Sequence, residues 1–76
     1  GREYRLLEMF MENKNQTLTR GFILEKLWDI EGDFVNDNTL TVTIKRLREK
    51  IEDNPSKPKI LKTVRGIGYR MENNNG

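Results

Sequence analysis

The sequence predicts an α+β domain in which three helices form the core and a C-terminal β-hairpin closes it. Three observations carry this expectation. Two short amphipathic periods precede residue 30, a longer apolar stripe runs through Leu40, Ile44, Leu47 and Ile51, and β-rich residues gather around two glycines after Pro58. At 76 residues the chain is one small domain at most, with no length for a second core. Hydrophobic and charged residues each make up 34%, so the core must come from a few well-placed positions.

The first helix is expected over Glu3 to about Asn13, with Tyr4, Leu7 and Met11 on one face and Leu6 and Phe10 flanking it. Met9, Phe10 and Met11 read as packing residues rather than as a cofactor box. Asn13 to Gln16 breaks the pattern, Thr17 and Leu18 suit a very short extended stretch, and Thr19 is placed to cap the next helix. That helix should cover Arg20 to Trp28 and bury Ile23, Leu24, Leu27 and Trp28, with Gly21 weakening its first turn. Asp29 to Asp37 reads as an acidic loop holding Gly32 and tied down by Phe34, with Val35 beside it.

Asn36, Asp37 and Asn38 are three candidate caps in a row before the longest helix, expected over Thr39 to Glu52. Leu40, Ile44, Leu47 and Ile51 fall at i, i+4, i+7 and i+11, one stripe that must face the core. Glu49, Glu52 and Asp53, at ion-pair spacing from Lys45, Arg48 and Lys50, read as helix surface. Asn54-Pro55 ends the helix, because the residue before a proline is pushed out of the helical region. Ile60 to Val64 and Tyr69 to Met71 then form the hairpin, with Gly66 and Gly68 allowing positive φ at its tip. Glu72 to Gly76 is a polar run with nothing to bury, so the domain is expected over 1–71 and a frayed tail over 72–76.

Composition narrows the chemistry. The chain has no Cys and no His, which removes disulfides, thiolate and imidazole metal ligands, the Cys nucleophile and the usual acid-base imidazole. No P-loop or convergent acidic pair is present, so no enzyme, cofactor or metal site is expected. No apolar run reaches the roughly 18 residues of a membrane span, and a cytoplasmic location is expected. Charge is divided along the chain: five basic against eight acidic residues up to Asn38, nine basic against four acidic from Thr39 onward. The positive half could face a polyanion.

The order helix, short strand, helix, loop, long helix, hairpin is the layout of a winged helix-turn-helix. A helix about 10 to 12 Å across fits the DNA major groove, and a hairpin beside it reaches an adjacent groove. Thr39, Val42 and Arg46, at i, i+3 and i+7, share one side of the long helix. A Val methyl can meet a thymine methyl, and an Arg can pair with guanine O6 and N7. The same residues also fit a blander arrangement, with Val42 edging the core and Arg46 a solvated charge. Trp28 and Tyr69 are expected as core rings whose polar atoms reach the rim.

Glu3-Tyr4-Arg5-Leu6-Leu7, Leu18-Thr19-Arg20, Leu24 to Trp28, Ile44 to Glu52 and Lys62 to Arg70 resemble the OmpR/PhoB family of response-regulator effector domains across nearly the whole chain. Arg65-Gly66-Ile67-Gly68-Tyr69 is the most specific segment, followed by Lys45-Arg46-Leu47-Arg48. The resemblance implies an output domain that binds double-stranded promoter DNA at direct repeats as a head-to-tail pair, linked to a phosphorylatable receiver. It implies base reading by Thr39, Val42, Thr43 and Arg46, and minor-groove entry by Arg65 on the wing. Phosphate contacts would fall on Arg20, Trp28, Lys45, Arg48, Lys50, Thr63 and Tyr69. The loop carrying Glu31, Asp33 and Phe34 matches a segment that in some relatives touches RNA polymerase.

Departures from the family pattern are few. Asn38 stands where Arg is common, Thr43 where some members carry His, and Gly21 where a helix former is usual. Family domains also usually begin with a four-stranded sheet that has no counterpart in this sequence, so apolar surface on the first helix is expected to be exposed. The competing expectation is a protein-interaction module on the same scaffold, contacting a partner without reading DNA.

Overall fold

The computed structural model describes residues 1–32 and 35–72, the side chain of Glu31 excepted. The expected contact loop at Glu31, Asp33 and Phe34 therefore lies outside the described residues, apart from the backbone of Glu31, and so does the tail over 73–76. Three helices pack over one antiparallel three-stranded sheet, an α+β architecture.

The first helix, α1 (Arg2–Glu12), buries Leu6, Met9 and Phe10. This corrects the expected face. Tyr4 and Met11 are 65% and 54% exposed, and Leu7 is only partly buried. Six of its residues from Tyr4 to Met11 are apolar, so periodicity admits two stripes about 140° apart. Packing against the third helix and the sheet selects between them. Asn13 closes the helix by donating its side-chain amide to the Met9 carbonyl at 2.8 Å.

Strand β1 (Thr17–Thr19) leads directly into α2 (Arg20–Glu31), where the Thr19 hydroxyl accepts from the Phe22 N–H at 3.1 Å as the expected cap. The helix runs three residues past the expected end. It stops at Gly32, whose φ of 69° is the left-handed conformation glycine adopts most easily. Ile23 and Leu27 are fully buried, but Trp28 is 54% exposed, against the expectation of a core ring. The buried face is centred on Ile23 and Leu27, and Trp28, five residues beyond Ile23, lies about 140° round the helix.

Of the three candidate caps before α3 (Asp37–Ile51), Asn36 serves, its side-chain oxygen accepting from the Thr39 N–H at 2.8 Å. Leu40, Ile44 and Leu47 form the expected buried stripe, with Ile51 packed at its edge. Val35 is buried just before the helix. The helix end departs from expectation. Glu52 is not surface: the loop through Pro55 and Pro58 returns over it, and its carboxylate accepts from the backbone N–H groups of Lys59, Ile60 and Leu61 at 2.7 to 3.1 Å. Burial raises its pKa, yet those three donors, with Arg48 nearby, outweigh it and hold the carboxyl below its ordinary value.

Strands β2 (Leu61–Val64) and β3 (Gly68–Met71) make the expected hairpin. The short strand β1 joins it, giving the order β1-β3-β2 with Leu18 opposite Tyr69 and Thr19 opposite Gly68. The two glycines differ in purpose. Gly66 takes a φ of 76° in the turn, whereas Gly68 has no positive φ and permits close approach. A Cβ at Gly68 would run into the Leu18 carbonyl oxygen and lie 2.9 Å from Thr19 Cα. Glu72, expected to begin the tail, is still anchored. Its N–H donates to Ile60 O at 2.8 Å, and its carboxylate pairs with Arg70 and Lys62.

Candidate nucleic-acid interface

Because the core stripe fixes the rotation of α3, the opposite side carries Val42, Lys45 and Arg46 outward, with Thr39 half-buried at its start. Val42 is 47% exposed and does not edge the core. Lys45, Arg46 and Arg65 are all exposed and make no salt bridge among the described residues. Thr43, another expected base-reading residue, lines the same groove as Thr39, Val42 and Arg46 but is mostly turned inward. It is 5% exposed, and its hydroxyl donates to the Thr39 carbonyl at 2.7 Å, so it is turned onto the helix's own backbone. Arg2 lines the same shallow groove as Asn38, Thr39, Val42 and Arg46. No local sequence signal could have found it, because only packing brings the start of α1 beside α3.

The expected phosphate-contacting cations divide into two groups. Lys45 is free to meet solvent. Arg20 is instead an internal bracket: its guanidinium donates to Asp37 Oδ1 at 3.0 Å, Asp37 O at 2.9 Å, Thr41 Oγ1 at 3.0 Å and the Tyr69 hydroxyl at 2.7 Å. Four of its five N–H donors are thus engaged among the described residues, leaving one for an outside acceptor. Burial lowers its pKa, but the bonds to Asp37 and Tyr69 prevail and hold it above the ordinary arginine value.

Arg48 donates to Leu61 O at 3.0 Å and to the Thr63 hydroxyl at 2.9 Å, joining α3 to β2. Burial is the main influence on it and pushes its pKa down, without threatening its charge. The Tyr69 ring, 7% exposed, lies between the Arg20 and Arg48 guanidiniums, each 5.7 Å from its centroid. Lys50 reaches back to α1, where its ammonium donates to Glu3 Oε1 at 2.8 Å. Trp28 stands on the outer face of α2.

The wing presents Arg65 in its turn next to Ile67, which is 52% exposed, and Thr63 faces outward on β2. The resulting surface has a contact helix with an apolar spot beside cations that make no salt bridge among the described residues, and a basic hairpin tip. Among the described residues no group of three or more His, Cys, Asp or Glu is placed to hold a metal, and no helix is long and apolar enough to cross a membrane.

Residues 1–71 match the family model described as "Transcriptional regulatory protein, C terminal". The chain is 52% identical over 71 residues to the alkaline phosphatase synthesis transcriptional regulatory protein SphR of Synechococcus elongatus, covering 92% of this chain and 27% of that protein. It is 42% identical over 71 residues to the transcriptional regulatory protein CusR of Escherichia coli, covering 93% of this chain and 30% of that protein. Among solved structures, the Thermotoga maritima response regulator DrrB, an OmpR/PhoB homolog, superimposes with a TM-score of 0.83 at 35% identity over 93% of this chain and 31% of DrrB. The C-terminal domain of the nisin resistance regulator NsrR gives 0.80 at 36% identity over 96% of this chain and 72% of that one. The chain thus spans roughly a third or less of the full-length relatives it resembles.

Proposed function

Because the chain belongs to the OmpR/PhoB family of transcriptional regulatory C-terminal domains, we propose that it binds double-stranded promoter DNA sequence-specifically, as the output domain of a two-component response regulator. The observation that carries this reading is the outward set on α3. Val42 is exposed at mid-helix beside Arg46 and Lys45, neither of which makes a salt bridge among the described residues. A solvated helix face has no use for an exposed valine between cations, whereas a major groove offers a thymine methyl to the valine and guanine O6 and N7 to the arginine.

In this reading α3 enters the major groove, with Thr39, Val42 and Arg46 toward base edges and Lys45 on the backbone. Arg65 enters the adjacent minor groove, where a narrow A·T-rich stretch concentrates negative potential. Arg20, Arg48 and Tyr69 act mainly by fixing α2, α3 and the wing relative to one another; the remaining N–H donors of both arginines and the Thr63 hydroxyl are available to phosphates. Linked to a receiver in the cytoplasm, two such domains would sit head-to-tail on direct repeats, the linkage raising the effective concentration of the second. A contact with RNA polymerase through the loop after α2 belongs to the same proposal.

The test is an amide NMR titration of this chain with a duplex enriched from a randomised pool and with its scrambled counterpart. Shifts concentrated at Thr39 to Lys50 and Thr63 to Gly68, larger for the enriched duplex, support the reading. Arg46→Ala should weaken the enriched site by roughly 1 to 3 kcal/mol and relax preference at one base pair, while Lys45→Ala weakens both duplexes alike. Unchanged spectra at low salt with both duplexes would refute DNA binding. They would instead favour the interaction-module reading, for which the exposed Phe22 and Ile30 of α2, lining one groove against α1, are the motivating surface.

A further inference from the structure

Besides the exposed Glu49 of α3 itself, a carboxylate from another element reaches the cations on the outer side of α3 and pairs with one of them. Lys50 lies four residues beyond Arg46, so the two share one side of α3, a turn apart. The first turn of α1 runs alongside, and Glu3 Oε1 accepts from Lys50 Nζ at 2.8 Å. The Lys50 bond and charge, and then the charge of Arg46, hold the Glu3 carboxyl below its ordinary value, so it is ionised at neutral pH and within the field of both cations.

Stability is a weak reason for this arrangement. Lys50 is 66% exposed, and exposed ion pairs contribute little to folding. For polyanion binding the pair has a definite consequence. A lysine neutralised by a protein carboxylate displaces no counterion from DNA, so it adds nothing to the salt-dependent part of the affinity.

Building on the DNA-binding reading above, we infer that Glu3 is an affinity-setting residue of the interface. It withholds Lys50 from the phosphate backbone and so removes one phosphate contact from every complex, specific or not. Base reading by Arg46 and Val42 then accounts for a larger share of what binding remains. The effect is sequence-independent, which separates it from a change in base readout.

Binding of the enriched and scrambled duplexes is measured by fluorescence anisotropy across salt concentrations, for the unmodified chain, Glu3→Gln, Lys50→Gln and the double variant. Glu3→Gln should steepen the slope of log K against log salt by about 0.9 on both duplexes. This corresponds to roughly eight-fold tighter binding near 0.1 M salt. Lys50→Gln alone should leave the slope where it was, and the double variant should return to the unmodified slope. Three results overturn the inference: no change of slope in Glu3→Gln, a flatter slope in Lys50→Gln alone, or a gain that persists in the double variant, which would mean direct repulsion by Glu3. If the unmodified chain binds neither duplex, the DNA-binding reading itself fails and takes this inference with it, an outcome distinct from tight binding with an unaltered slope.

Discussion

Replacing Glu52 with glutamine removes one charge and one acceptor from the point where the returning loop meets the end of α3. The carboxylate accepts from three backbone N–H groups, those of Lys59, Ile60 and Leu61, and Glu52 is only 9% exposed. Whichever way a glutamine amide is turned, one of its two positions becomes a donor facing donors. At least one N–H is left unpaired, and the others lose charge assistance. With charged hydrogen bonds contributing about 1.5 to 3 kcal/mol each and an orphaned donor costing about 1 to 3, a net loss of about 2 to 3 kcal/mol is expected. For a domain of this length that is a fall in Tm of roughly 10 to 20 °C.

The pH dependence follows from the direction of the Glu52 shift. The folded pKa lies below the ordinary 4.5, so the contribution is fully present above that value. As pH falls below it, the unfolded chain protonates first, and the contribution declines until the folded pKa has been passed. Urea unfolding followed by circular dichroism at pH 7 and in steps down to pH 3, at constant ionic strength, should therefore show the gap between the unmodified and Glu52→Gln chains narrowing below about pH 4.5. Glu3 and Glu72, whose carboxyls are also lowered, are common to both chains and cancel in the difference. A gap below about 0.5 kcal/mol at pH 7, or one that stays constant down to pH 3, would refute the argument.

The remaining expectations concern the sheet and the wing. Gly68→Ala should cost several kcal/mol and collapse the amide dispersion of Thr17 to Thr19, because the clash is with backbone; Gly66→Ala, strained only by its φ of 76°, should cost about 1 to 2 kcal/mol. Equal melting temperatures for the two variants would contradict this assignment. Tyr69→Phe keeps the ring between Arg20 and Arg48 but orphans one Arg20 donor, so denaturant unfolding should register a loss of about 1 kcal/mol. Arg65→Ala should weaken duplexes with A·T-rich flanks more than those with G·C-rich flanks; identical losses in a competition assay would confine Arg65 to the backbone.

Elements marked by a local chemical signal were legible in the sequence. Thr19 is a side-chain cap, Asn36 is one of three adjacent cap candidates, Asn54-Pro55 follows the end of α3, and Leu40 to Ile51 is a stripe too regular to mistake, whereas Gly32 read as part of a loop although it ends α2. The missed features depend on what lies across from a residue. Apolar residues surround much of α1, so only its partners could choose Leu6, Met9 and Phe10 over Tyr4 and Met11. Glu52 looked like any other carboxylate at a helix end until the chain folded back over it. In the site, spacing placed Arg46 on the outer face, but nothing in the sequence separated it from Arg20 and Arg48, whose guanidiniums are engaged by Asp37, Thr41, Tyr69, Leu61 and Thr63. Similarity to the family fixes positions, and the structure then distinguishes cations held inside from those still facing solvent.

The pairing of β1 with β3 bears on the order in which the contact surface can form. Residues 17–19 are opposite residues 68–70, so the central strand of the sheet is completed only when the two ends of the chain meet. Closing a loop of that length is an entropic cost incurred before the ladder between those strands gives any return. Helical turns in α2 and α3 can flicker locally in the meantime, and Arg48 and Glu52 tie β2 to α3, yet β3 is not held against α2 until β1 receives it and the Arg20 side chain at the β1–α2 junction finds Tyr69. The third helix and the first strand of the wing are therefore joined by contacts near in sequence, while the placing of α2 against the wing waits for the long-range pairing of β1 with β3.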